Sequence, residues 1–184
     1  MGSIIKVNEY KDFGNNAIMT SDGAGVVTPN ASGIKNTPAF HARTSTDQNL
    51  TRSTAVLIVN FVEDFDVGSC FASNRFTVPS GEGGKYGVYF SLSCNTGAAG
   101  GDGELIKGDI YKNGAYLTGF RSILEDNGSS NMYISNYTAT LTGVTTLSAA
   151  DYLELYATTA DYNASGTVQS NSHTIFGAYK LIGA

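Results

Sequence analysis

Asn74-Arg75-Phe76-Thr77-Val78-Pro79 and, across a glycine-rich turn, Gly84-Lys85-Tyr86-Gly87-Val88-Tyr89-Phe90-Ser91-Leu92-Ser93-Cys94 decide the fold class of this chain. Both runs alternate with period two and are bounded by proline or glycine, the pattern of half-buried β-strands. In the longer run Tyr86, Val88, Phe90, Leu92 and Cys94 share one face, while Lys85, Gly87, Tyr89, Ser91 and Ser93 share the other. The reading is a sandwich strand, with no catalytic motif in it.

Working outward, the rest of the chain has the same character. Its 184 residues suit one domain of ordinary size plus a modest appendage. Glycine accounts for 22 residues, tyrosine and phenylalanine together for 20, and only 15% are charged, a balance typical of turn-rich all-β sandwiches. Strands are predicted near 38–44, 54–61, 74–79, 84–94, 104–112, 115–121, 131–141, 150–159, 166–170 and 173–182, and no segment keeps a helical period. Asn113-Gly114, between Ile110-Tyr111-Lys112 and Ala115-Tyr116-Leu117, predicts a two-residue hairpin, because a type I′ turn needs two positive φ angles.

Several function classes are disfavoured at once. A net charge of −5 with eleven scattered Lys and Arg residues provides no basic surface for phosphates, so no nucleic-acid partner is expected. The longest apolar run, Ala55-Val56-Leu57-Ile58-Val59, is far short of the ~20 residues that span a bilayer, so no membrane insertion is expected. Met1-Gly2-Ser3-Ile4-Ile5-Lys6 has neither the apolar stretch of a secretory signal nor a myristoylation pattern. Five Asn-x-Ser/Thr triplets are therefore read as incidental to a chain rich in those residues. Cys70 and Cys94 have core-facing parity, and buried free thiols are expected, since a bridge needs Cα atoms within ~7 Å and facing sheets lie ~10 Å apart.

Catalytic and cofactor chemistry is likewise not expected. His41 and His173 stand in no motif that pairs them with a nucleophile, and Gly81-Glu82-Gly83-Gly84 reads as a turn. Glu104 with Asp109, or Asp151 with Glu154, lack a cleft that would drive two carboxyl pKa values apart. Glu63-Asp64-Phe65-Asp66 is the densest carboxylate cluster and reads as a solvated loop, with Asp64 and Asp66 the weak candidates for a metal.

A boundary falls between Asn30 and Pro38, giving an arm over residues 1–36 and a head over 37–184. In the arm Ile5, Val7, Ile18, Met19, Val26 and Val27 are spread between the turn signals Gly14-Asn15-Asn16 and Ser21-Asp22-Gly23. Strands this short cannot build a core alone, so the arm is expected to fold against another chain; a disordered tail is the alternative.

The order of motifs carries a resemblance. Thr37-Pro38-Ala39-Phe40, Arg75-Phe76-Thr77-Val78-Pro79 with Gly84-Lys85-Tyr86-Gly87-Val88-Tyr89-Phe90, Lys112-Asn113-Gly114, Leu147-Ser148-Ala149-Ala150-Asp151-Tyr152-Leu153-Glu154-Leu155 and His173-Thr174-Ile175-Phe176-Gly177-Ala178-Tyr179 follow one another along residues 37 to 183. Together they resemble the C1q/TNF-like jelly roll shared by the complement C1q head and tumour-necrosis-factor-like ligands. The chain departs from that pattern at Ala150, where the family has glycine, and at Ala178-Tyr179, where it has Phe-Leu; no collagen-like stalk precedes the head. The resemblance brings in calcium as a ligand of some members, for which Asp64 and Asp66 would be the donors. Val7-Asn8-Glu9-Tyr10 and Ile18-Met19-Thr20-Ser21-Asp22-Gly23-Ala24-Gly25 resemble the leaders of small structural proteins of tailed, especially marine, bacteriophages that carry such heads.

Apolar residues on both faces of one strand demand a second cover. Ala55 to Val59 is apolar throughout, Tyr89 sits on an outward face, and Tyr152 to Tyr156 and Ile175-Phe176 place bulky groups on both sides. Packing beneath the loops of a single subunit is one answer. The resemblance implies another, a homotrimer whose inward sheet holds Lys85–Cys94, Tyr152–Thr158 and Thr174–Ile182, with Tyr89, Tyr152, Tyr156, Phe176 and Tyr179 at the interface. Each such ring removes ~150–250 Å² from water, roughly 4–6 kcal/mol at ~25 cal/mol/Å² before entropy is subtracted.

The function expected from this reading is that of a phage virion protein, assembled in the host cytoplasm. Its arm would bind other virion proteins, and its trimeric head would adhere to a host-surface glycan or protein through Asp102, Asp126, Asn127, Tyr162 and Asn163 in loops. Capsid decoration or cement is the alternative, and a secreted C1q/TNF-like binding module a further one.

Overall fold

The computed structural model describes residues 8–30, 36–95, 103–125, 136–161, 166–169 and 173–182. Every regular element among them is a strand, and no helix there is long and apolar enough to cross a membrane. Three short strands, β1 (Glu9–Lys11), β2 (Ala17–Ser21) and β3 (Val27–Pro29), form a small antiparallel sheet. The remainder, from β4 (Ala39–Thr44) onward, forms two antiparallel sheets around one core.

The first sheet is seven-stranded. It contains β4, β5 (Gln48–Asn49), β7 (Phe61–Val67), β10 (Gly84–Asn95), β13 (Asn136–Leu147), β15 (Thr167–Val168) and β16 (Ile175–Lys180). Across its middle the order is β7-β4-β16-β10-β13. The second sheet runs β12 (Ala115–Glu125), β11 (Gly103–Lys112), β14 (Tyr152–Asp161), β9 (Arg75–Thr77), β8 (Phe71–Ala72), with β6 (Val56–Leu57) also paired to β14.

Alternation explains the layering. Tyr86, Val88, Phe90, Leu92 and Cys94 of β10 are all buried between the sheets, as their parity predicts. Rings from both sheets meet there: Phe40 stacks on Phe71 at 4.5 Å and on Phe76 at 5.3 Å, and meets Phe176 edge-on at 5.0 Å. Both cysteines are free and buried. Burial pushes the Cys94 thiol up to about 12, and burial, then the neighbouring Asp66 carboxylate, raises Cys70 as well.

Four expectations are corrected. The span 54–61 is two elements, β6 and a separate β7. Glu63 to Asp66 lies inside β7 as a strand, not in a solvated loop. The strand expected over 131–141 is described from Asn136 and continues to Leu147, pairing with β10 along its whole length. Finally, the strand carrying Tyr152 and Tyr156 belongs to the second sheet, opposite the one that holds Tyr89 and Tyr179.

Candidate assembly face

The outer face of the seven-stranded sheet is built from paired rows. Direct pairing aligns Val67, Ala39, Tyr179, Gly87 and Val144 in one row, and Phe65, His41, Gly177, Tyr89 and Thr142 in the next. Residues directly opposite share a face, so this surface is apolar where an antiparallel sheet against water should be polar. Val144 is 59% exposed, Phe65 48% and Tyr179 38%, with Val62 and Val67 also open to solvent. Exposed apolar side chains gathered on one sheet face are the kind of surface that a protein partner, a ligand or a membrane covers.

The face is also flat. Tyr89 lies over Gly177 and Tyr179 over Gly87, where a Cβ would sit 2.7 Å from the Tyr179 ring. The two tyrosine rings are 6.5 Å apart, and His41 lies 5.8 Å from Tyr89 and 6.1 Å from Phe65 at shallow angles. Glycine opposite tyrosine lets each ring fold onto the neighbouring backbone, leaving a smooth slab that a like surface can approach closely.

One polar group is set into the slab. The Tyr89 hydroxyl and His41 Nδ1 are 2.8 Å apart, His41 Nε2 lies 3.5 Å from the Asp64 carboxylate, and Asp64 is ion-paired with Arg43. Burial, then the nearby Tyr179, raises the Tyr89 phenol above its ordinary value.

Of the residues expected at an interface, this face brings together Tyr89 and Tyr179. Phe176 points the other way and is wholly buried in the core. Tyr152 and Tyr156 lie on the outer face of the second sheet, where the chain covers them itself. Arg75 sits 3.8 Å over the Tyr152 ring while its Nε and Nη2 donate to Glu154 at 3.0 and 2.7 Å. Tyr156 packs on Tyr111 at 4.1 Å, and Arg121 grips the buried Asp109 carboxylate with 2.6 and 3.1 Å bonds while resting on Tyr116. These contacts hold the charges and most rings of this layer within one chain, although Ile123 on the same face stays 46% exposed.

Asp64 and Asp66 are engaged separately. Asp66 accepts from the Cys70 and Phe71 backbone N–H groups at 2.9 and 3.1 Å, and Asp64 holds Arg43. Among the described residues no group of three or more His, Cys, Asp or Glu side chains is placed to hold a metal. His173 is exposed, and its carbonyl accepts from the Ser91 hydroxyl at 3.3 Å.

Asp102, Asp126, Asn127, Tyr162 and Asn163 lie outside the described residues. The strand ends that flank them are described, and they gather at one end of the sandwich. Asn95 pairs with Asn136 and Thr167, Gly103 with Asp161, and Leu105 with Glu125. The chain enters the sandwich at the other end, where Ala39 pairs with Tyr179 at the level of Gly87, near the start of β10.

Sequence reasoning missed Val62, Phe65, Val67 and Val144, and the role of Gly87 and Gly177. Phe65 and Val67 do alternate, but Glu63, Asp64 and Asp66 between them read as a solvated cluster.

No protein-family model matches the chain, and no curated protein sequence does either. Solved structures do. Eiger TNF from S. frugiperda superposes with a TM-score of 0.59 at 14% identity, over 79% of this chain and 93% of that one. Murine APRIL gives 0.54 at 16% identity, over 78% and 98%. The globular domain of zebrafish complement 1qA gives 0.52 at 12% identity, over 78% and 97%. At such identities the likeness concerns the fold, and with the two-sheet topology it establishes that the chain is an all-β jelly roll of the kind found in TNF-like and C1q globular domains.

Proposed function

We propose that the chain is a non-catalytic structural protein of a tailed-phage virion, a homotrimer anchored through residues 1–36 to other virion proteins and adhering to a host-surface glycan or protein. The observation that carries this reading is the polarity of the head. The arm joins at the Ala39 end, and the strand ends flanking 96–102, 126–135 and 162–165 gather at the opposite end. A body held at one end and presenting loops at the other suits display from a particle, and loops on a rigid sandwich are where recognition usually resides. Asp102, Asp126, Asn127, Tyr162 and Asn163 are the contact residues in this proposal.

The trimer supplies repetition. Three heads meet through the slab of Tyr89, Tyr179, Phe65, Val67 and Val144, hiding apolar surface that one head leaves open. Three copies of each loop then face the same way, and binding to a repetitive surface gains avidity without any new contact.

Electron microscopy of the particle tests the proposal together with binding of the labelled full chain to host cells. Density at a tail or fibre tip with saturable cell binding is expected. Density spread over the capsid lattice, with no saturable binding, would overturn adhesion in favour of capsid decoration.

A further inference from the structure

The small sheet β1–β3 has two unlike faces. Pairing puts Tyr10, Met19 and Pro29 in one row, and Ser21 with Val27 in the next row of the same face. The opposite face carries Glu9, Thr20 and Thr28 in a row. Tyr10 and Val27 are 54% and 55% exposed, although both lie on the apolar side. A sheet that is apolar on one side needs a second layer, and three short strands cannot supply it themselves.

The occupant follows from where the arm is tethered. From Asn30 to Asn36 the chain takes six steps, a reach of at most ~21 Å at ~3.5 Å per residue. It then enters β4 at Ala39, which lies within the assembly face between Val67 and Tyr179. Heads that meet through that face hold their arms within reach of one another, at an effective concentration on the order of millimolar. Residues 1–36 carry three lysines and three acidic side chains, so no net side-chain charge opposes packing of one arm on another.

We propose that the apolar faces of three β1–β3 sheets pack against one another to form a common stem beneath the heads. The inference rests on the trimeric reading of the head. It places Tyr10, Met19, Val27 and Pro29 inside the stem and leaves Glu9, Thr20 and Thr28 outside. Contacts to a particle then fall to that polar outer face and to the edges of β1 and β3.

Cysteine scanning of the full chain tests it. Tyr10→Cys and Val27→Cys are compared with Thr20→Cys and Thr28→Cys under mild oxidation, and light scattering of each sample gives its mass. Cys70 and Cys94 are buried, and the unsubstituted chain is the background. Disulfide-linked dimers several-fold more abundant for Tyr10→Cys and Val27→Cys, in samples that scatter as trimers, are expected. Equal or weaker cross-linking in intact trimers overturns the stem and leaves a particle protein as the occupant. A monomeric mass sinks the trimer and the stem together.

Discussion

Tyr89 lies across Gly177, its direct partner on the neighbouring strand, and its hydroxyl is within 2.8 Å of His41 Nδ1 on the strand beyond. Three strands are thereby joined on the outer face by one ring that lies against the Gly177 backbone. The apolar slab is a property of this pairing, because a side chain at position 177 would occupy the space of the ring.

Gly177→Ala is the smallest change that destroys it. The added methyl lifts the Tyr89 ring, breaks its bond to His41 and roughens the face, a small-to-large insertion that costs about 1–3 kcal/mol. Sedimentation velocity over a dilution series should show the trimer dissociating at a higher concentration than for the unsubstituted chain.

The second sheet should behave in the opposite way. Arg75→Ala strips the buried Glu154 carboxylate of its guanidinium and uncovers Tyr152. Arg75 is itself 42% exposed, so chemical denaturation should report a loss of about 1–3 kcal/mol, the penalty for leaving one buried acceptor without its partner, while trimer mass stays unchanged. Tyr89→Ala should dissociate the trimer instead.

Ala150 adopts φ of +70°, in the left-handed region, at the position where glycine stands in the motif this stretch resembles. An L side chain there costs ~1–2 kcal/mol, against the ~0.5–1 kcal/mol of extra freedom that glycine loses on folding. Ala150→Gly should therefore stabilise the chain by about 0.5–1 kcal/mol, read as a higher denaturant midpoint with an unchanged slope.

Asp151 anchors the adjacent hairpin. Burial alone would raise its carboxyl, but bonds from Lys112, Asn113 and the Ser148 N–H together bring it down to about 2 from an ordinary 3.8. A depressed carboxyl contributes stability above its unfolded value, and that stability is lost as pH falls from near 4 through about 2. Asp151→Asn should lower stability at neutral pH by about 1–2 kcal/mol and flatten this acid limb in pH-dependent unfolding.

The architecture was legible where alternation was uninterrupted. β10 kept its predicted inward set, and Asn113 and Gly114 have the positive φ values, 53° and 79°, that a type I′ hairpin needs. Ser93 shows the limit of parity. It lies on the outward side yet is buried, because its N–H donates to Thr174 Oγ1 and its hydroxyl to Gln169 Oε1. β7 was illegible because the register shift between His41 and Ala42 leaves Asp64 as an extra residue, which breaks the period as acidic side chains obscure it. Tyr152 and Tyr156 were misplaced for another reason. Their cover comes from Arg75 and Tyr111, distant in sequence, so two-sided apolarity looked like a need for another chain.

Closure of the Tyr89–Tyr179 slab by two further copies of the chain is the point on which the proposed trimer stands or falls. Sedimentation equilibrium of the full chain at micromolar concentration measures this directly. A single species of three times the 19.3 kDa chain mass is expected, reduced toward one chain by a Val144→Lys, Tyr179→Lys double variant that remains folded. A wild-type chain that sediments as a monomer at that concentration would contradict it.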